Sequence, residues 1–134
     1  MMDKTDRAEM AVEYKHSGFN CCQAVVKALA DLLETEEETL QMLASGFAVG
    51  MGCMEATCGA LIGAVMTAGL LKDGKGSVMT ARGLLSRFQE YCGATLCKEL
   101  KGKDTGAVLC ECDDCVRNAV RAFYDVAIPD EKGT

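Results

Sequence analysis

Cys21, Cys58, Cys97 and Cys112 each stand where the sequence expects a helix to begin or the chain to turn. A thiol at a helix start meets the positive end of the dipole, which favours the thiolate that attacks disulfides or binds metal. Cys58 is the clearest case: Thr57 is expected to cap a helix opening at Cys58. Gly59 and Gly63, with Ala60 and Ala64 beside them, then give a smooth face for a helix, a bulky cofactor or a second copy of the chain. The run Cys110-Glu-Cys112-Asp-Asp-Cys115 overlays C-x-C on C-x-x-C, a spacing that holds one metal ion or closes a redox disulfide. Zinc usually needs a second close pair, and Cys92/Cys97 and Cys53/Cys58 are more loosely spaced. Iron–sulfur ligation by four thiolates from separate segments fits comparably. No C-x-x-C-H occurs, which excludes covalent haem attachment.

The other thiols have plainer expectations. Cys22 falls on an apolar helical stripe and should pack, leaving Cys21 to the site. Cys92 continues a stripe through Phe88 and should be core. Cys115 fits either role, core or ligand. His16, the one histidine, has no partner for a protease-like dyad and suits a solvated helix end. The eight methionines are scattered on apolar stripes, so core filling is the better reading than copper binding. No Walker loop, dinucleotide fingerprint or nucleophile-elbow serine is present.

These residues need a scaffold, and 134 residues suit one domain with a core spanning about residues 3–128. A net charge of −6 speaks against nucleic acid and anionic membrane as partners. Nine cysteines, an odd number, behind the charged start MMDKTDRAEM point to reduced thiols in a cytoplasmic setting. The uncharged run Ala56 to Leu71 is shorter than the ~20 residues a bilayer needs, so no membrane insertion is expected.

Apolar periodicity marks helices over Asp3 to His16, Cys21 to about Leu33, a third carrying Leu40, Leu43 and Ala44, and one from Cys58 to about Lys72. Asn20 should cap the second, and Thr35 with Glu38 forms a capping-box pattern for the third. A fifth helix starts at Ser77 with Ala81, Leu84, Leu85 and Phe88 inward, a helical turn covers Cys97 to Leu100, and a last helix runs from about Asp113 to Val126. Pro129 should end the ordered chain. No alternating strand pattern appears. The fold class is all-α: a bundle of about five or six helices with a Gly-rich loop, GFAVGMG, before an apolar central helix.

In order, F-x-C-x-Q-A (Phe19 to Ala24), G-F-x-x-G-M-G (Gly46 to Gly52), T-C-G-A-x-x-G (Thr57 to Gly63), C-x-E-L (Cys97 to Leu100) and C-x-x-x-V-R (Cys112 to Arg117) resemble the C_GCAxxG_C_C family of redox-active proteins. The likeness spans about Phe19 to Val120. It implies a helical fold, a redox role, and Cys21, Cys58, Cys97 and Cys112 as the characteristic cysteines. Cys22, Cys53, Cys92, Cys110 and Cys115 are extras. A similar domain occurs in split-Soret cytochromes, where an iron–sulfur centre accompanies the haems, so the resemblance implies such a cluster as cofactor.

Three functions follow as expectations. The first is electron transfer through an iron–sulfur cluster, for instance a two-iron two-sulfur centre, on Cys21, Cys58, Cys97 and Cys112 with Cys115 as a further metal ligand. The second is a metal-free thiol–disulfide protein with Cys58 as attacking thiolate. The third is a structural zinc module. A redox partner protein and a homodimer through the Gly59/Gly63 face are the expected partners.

Overall fold

The computed structural model describes residues 3–129. The expected loss of order beyond Pro129 lies outside the described residues. Six helices of 8–16 residues and one single-turn helix account for the architecture, in the order α1 (Lys4–Lys15), α2 (Cys21–Leu29), α3 (Glu37–Ala44), α4 (Gly59–Leu71), α5 (Ser77–Cys92), α6 (Cys97–Leu100) and α7 (Cys112–Ala127). Among the described residues there is no strand, only an isolated antiparallel bridge between Thr57 and Leu96. No helix among them is long and apolar enough to cross a membrane.

α4 lies at the centre because nearly all its side chains are apolar, and α2, α5 and α7 cover it. The Gly59/Gly63 face is taken by α2 of the same chain: a Cβ on Gly63 would stand 2.8 Å from the Cys22 carbonyl oxygen. α1 packs outside on α2 and α7, and α3 on α2. The main core joins Val25, Leu29, Leu61, Leu84, Phe88, Val116, Val120 and Phe123; a smaller one joins Cys22, Val26, Leu40 and Ala44.

Helix ends hold most of the differences from sequence expectation. Asp3 and Asn20 each close a capping box, with Asp6 and Gln23 as the returning side chains. Thr35 and Glu38 do not. α3 starts one residue later than that pattern needs, with Glu36 at its cap and no side-chain bond to the first turn. α2 stops at Leu29 and tightens into a 3₁₀ turn over Ala30–Leu32. Leu43 and Leu85, expected inside, are 56% and 40% exposed, because each lies at the margin of its helix's buried stripe.

Candidate thiol-rich functional site

The N-terminal ends of α2, α4, α6 and α7 meet, and each brings a cysteine. Cys21, Cys97 and Cys112 are the first residues of α2, α6 and α7; Cys58 is the N-cap of α4. The cap expected of Thr57 is thus one residue off. Thr57 instead pairs with Leu96. The Cys58 N–H donates to the Thr95 carbonyl (2.8 Å) and the Cys97 N–H to the Ala56 carbonyl (3.0 Å). This short ladder joins segments about forty residues apart and sets Cys58 beside Cys97.

The four cysteines line one cavity of about 20 Å³, together with Val49, Gly59, Leu100, Lys101 and Cys115. Its walls are tight because two glycines let backbone come close. A Cβ on Gly59 would lie 2.6 Å from the Phe47 carbonyl oxygen and 2.8 Å from the Cys21 sulfur. Gly50, at φ +52°, opens an irregular, kinked helical turn over Gly50–Met54 that lies against Cys97, whose Cβ would be 2.7 Å from an added methyl. This segment holds Val49, Met51 and Met54 in the left-handed region (φ 54°, 64° and 66°). A β-branched residue there is strained. Here the strain accompanies a place at the site, since Val49 lines the cavity and its backbone amide favours the Cys21 thiolate.

Electrostatics differ from thiol to thiol. Burial pushes Cys21 and Cys97 above the ordinary thiol range. Cys58 goes the other way, to about 7, because the neighbouring Cys115 thiol is placed to stabilise its thiolate and the backbone amides of Ala60 and Leu61 add to the effect. Its sulfur makes no cap bond of ordinary geometry to the first turn, so those amides act as nearby dipoles. Lys101 donates from its ammonium to the Cys112 sulfur. Burial is the largest single influence on Lys101 and opposes its charge, but that bond together with the attraction of the Cys112, Cys97 and Cys21 sulfurs outweighs it and the pKa rises.

Cys115 links this cavity to a second group of sulfurs. Cys92, Cys110 and Cys115 are buried, and their sulfurs all lie within 4.8 Å of one another, close enough to hold a metal ion. Cys115 carries one proton and faces several acceptors, the Cys110 carbonyl at 3.7 Å and the sulfurs of Cys58 and Cys92. A charged acceptor makes the stronger bond, so the proton stays with Cys115 once either neighbour ionises. Cys92 accordingly falls to about 7, helped by Asn118, while burial lifts Cys110 to about 12. All nine thiols are free.

Residues 19–126 match the family described as "Putative redox-active protein (C_GCAxxG_C_C)". The chain belongs to this family. No curated protein and no solved structure matches the chain. Gly50 and Gly59, conspicuous in the family motifs, are here the positions where a side chain would collide with the sulfur-bearing segments.

The remaining cysteines divide sharply. Cys22 is wholly buried in the smaller core and burial raises it to about 12. Cys53 is exposed and its thiol contacts the Gly50 carbonyl. Cys92 is buried, yet its sulfur is engaged with other thiols and does not merely fill space. Sequence reasoning gave Cys92 to the core and named Cys110 only within the Cys110–Cys115 run, without bringing the two together. The signal was half visible in the C-x-C-x-x-C run, but Cys92 joins it only through the packing of α5 on α7. Gln23 was also missed as a positioning residue: it returns the capping box to Asn20 (3.1 Å) and donates to the Gln41 carbonyl (3.1 Å), fixing the α2 start that carries Cys21. His16 caps α1 and bonds Asp113 at 2.9 Å, which with Lys15 ties α1 to the first turn of α7.

Proposed function

We propose that this chain is a small electron carrier whose Cys21, Cys58, Cys97 and Cys112 ligate an iron–sulfur cluster, a two-iron two-sulfur centre being the simplest form. Support comes from the cavity, where four thiols from four helix starts line one space. Their spacing favours a group larger than one ion. Four sulfurs on a single zinc stand about 3.8 Å apart, given Zn–S bonds of about 2.3 Å. Among the described residues, no three of these four have sulfurs within 4.8 Å of one another. The soft donors fit an iron–sulfur cluster, although 20 Å³ holds about one water, so uptake requires the walls to spread.

An iron–sulfur cluster bound there supplies reversible one-electron transfer. The protein's part is electrostatic. Lys101 sets a positive charge at Cys112, and the amides of Val49, Ala60 and Leu61 point partial positive charge at Cys21 and Cys58. Each makes added negative charge more favourable and so raises the reduction potential. A redox protein of the reducing cytoplasm is the expected electron partner.

The test is iron, sulfide and zinc content with a visible spectrum, on protein purified without oxygen. Matched iron and sulfide, lost together with the visible bands in Cys58→Ser, is the expected result. Zinc without sulfide would overturn the cluster and favour a structural zinc module. Absence of all three would favour a second reading, a thiol–disulfide protein, which the closeness of Cys115 to the acidified Cys58 supports. There Cys58 attacks a partner's disulfide, Cys115 resolves the mixed disulfide, and the partner leaves with two thiols while Cys58 and Cys115 become disulfide-bonded.

A further inference from the structure

We propose that Cys92, Cys110 and Cys115 hold one divalent thiophilic ion, zinc above others, at a site that adjoins the four-cysteine cavity through Cys115. The three sulfurs already lie within 4.8 Å of one another. Sulfurs sharing one zinc stand about 3.8 Å apart, so small side-chain adjustments complete the coordination. They come from three places: the last residue of α5, the loop before α7, and the first turn of α7. Each is anchored by backbone. The Gly93 N–H returns to the Gln89 carbonyl (2.8 Å) beside Cys92, the Cys110 N–H donates to the Leu100 carbonyl (3.2 Å), and the Cys115 N–H to the Glu111 carbonyl (2.9 Å).

The surroundings have the features of a metal site. Asn118, buried on α7, donates from Nδ2 to the Cys92 sulfur at 3.3 Å, as outer groups do for thiolate ligands. A polar groove of about 360 Å³ reaches the cluster at Cys110, lined also by Tyr91, Glu111, Asp114, Asn118 and Arg121. Glu111 and Asp114 there outnumber Arg121 and favour the approach of a cation, Asp114 while also bonded to Arg117 (2.9 Å). Charge selects the ion. Three thiolates around a divalent ion leave one net negative charge, whereas a cuprous ion leaves two, and buried excess charge is costly. Cys58 is not within the trio's mutual distance, so the three protein ligands leave a fourth position for an external group. None of the three is among the four characteristic family cysteines, so the site stands or falls apart from the cluster.

The experiment uses the full chain carrying Cys21→Ala, Cys97→Ala and Cys112→Ala, purified without oxygen and titrated with zinc, then with cadmium. One zinc per chain by native mass spectrometry and a sulfur-to-cadmium charge-transfer band are expected. Adding Cys92→Ala and Cys110→Ala should weaken zinc binding by about 100-fold or more. A folded triple variant that takes no zinc overturns the proposal, as does zinc retained after Cys92 and Cys110 are gone. If the triple variant does not fold, the unaltered chain decides by alkylation mapping. Zinc should protect Cys92, Cys110 and Cys115 as a group, and protection confined to Cys21, Cys97 and Cys112 overturns the site. Cys92→Ala/Cys110→Ala in the otherwise unaltered chain should keep iron and sulfide, so the two proposals fail separately.

Discussion

Gly59→Ala isolates the contact that builds the thiol cavity. The added methyl would stand 2.6 Å from the Phe47 carbonyl oxygen and 2.8 Å from the Cys21 sulfur, and a backbone carbonyl cannot swing aside as a side-chain tip can. Overpacking of this kind costs about 1–3 kcal/mol. Alanine's better helix propensity returns at most about 1 kcal/mol. The net expectation is a loss of about 1–2 kcal/mol. Gly69→Ala in the same helix is the matched control, because nothing lies within 4 Å of its added methyl. It should gain about 0.5–1 kcal/mol. The two variants should therefore differ by about 1.5–3 kcal/mol. Urea unfolding of reduced protein resolves that, since slopes near 1–3 kcal/mol per molar place the midpoints about 0.5–3 M apart. The visible absorbance of anaerobic protein should fall in Gly59→Ala and persist in Gly69→Ala. A Gly59→Ala midpoint at or above wild type would refute the close-approach account of this glycine.

Further predictions concern the thiols and the strained loop. In reduced, metal-free protein, Cys58 and Cys92 lie at about 7 against an ordinary 9.0, so the unfolded chain binds more protons between those values and stability should rise from pH 7 towards 9. Above pH 9 the sign reverses, because Cys22 and Cys110 hold their protons to about 12 in the folded state; urea midpoints across that range check both limbs. Cys115→Ala should move the alkylation pH profile of Cys58 upward, and an unchanged profile would remove Cys115 as its donor. Lys101→Gln should lower the reduction potential of the loaded protein, about 40 mV for each 1 kcal/mol of interaction lost, read by anaerobic redox titration. Val49→Gly should stabilise by up to about 1 kcal/mol, since glycine bears φ 54° without strain but gives the unfolded chain more freedom; a clear loss in urea unfolding would argue against backbone strain there.

Much of the scaffold was legible in the sequence because apolar periodicity encodes it directly. The stripe of α2 put Cys22 in the core, the all-apolar composition of α4 put it at the centre, and Asn20 named the start of a helix. The family cysteines stood out for the same local reason, since helix ends are written in capping residues and glycines. Local rules were less sure of the ends themselves: Thr57 and Thr35 have the chemistry of caps, yet one is drawn into a bridge with Leu96 and the other is left outside its helix. The sulfur neighbourhood was beyond sequence. That Cys58 lies beside Cys97 depends on a ladder between segments about forty residues apart, and that Cys92 meets Cys110 and Cys115 depends on how α5 crosses α7. Sequence by itself determined which residues carry thiols and which faces are buried. Only tertiary packing decided which sulfurs share a proton and which could share a metal, because those distances are set by contacts between helices and no short-range pattern records them.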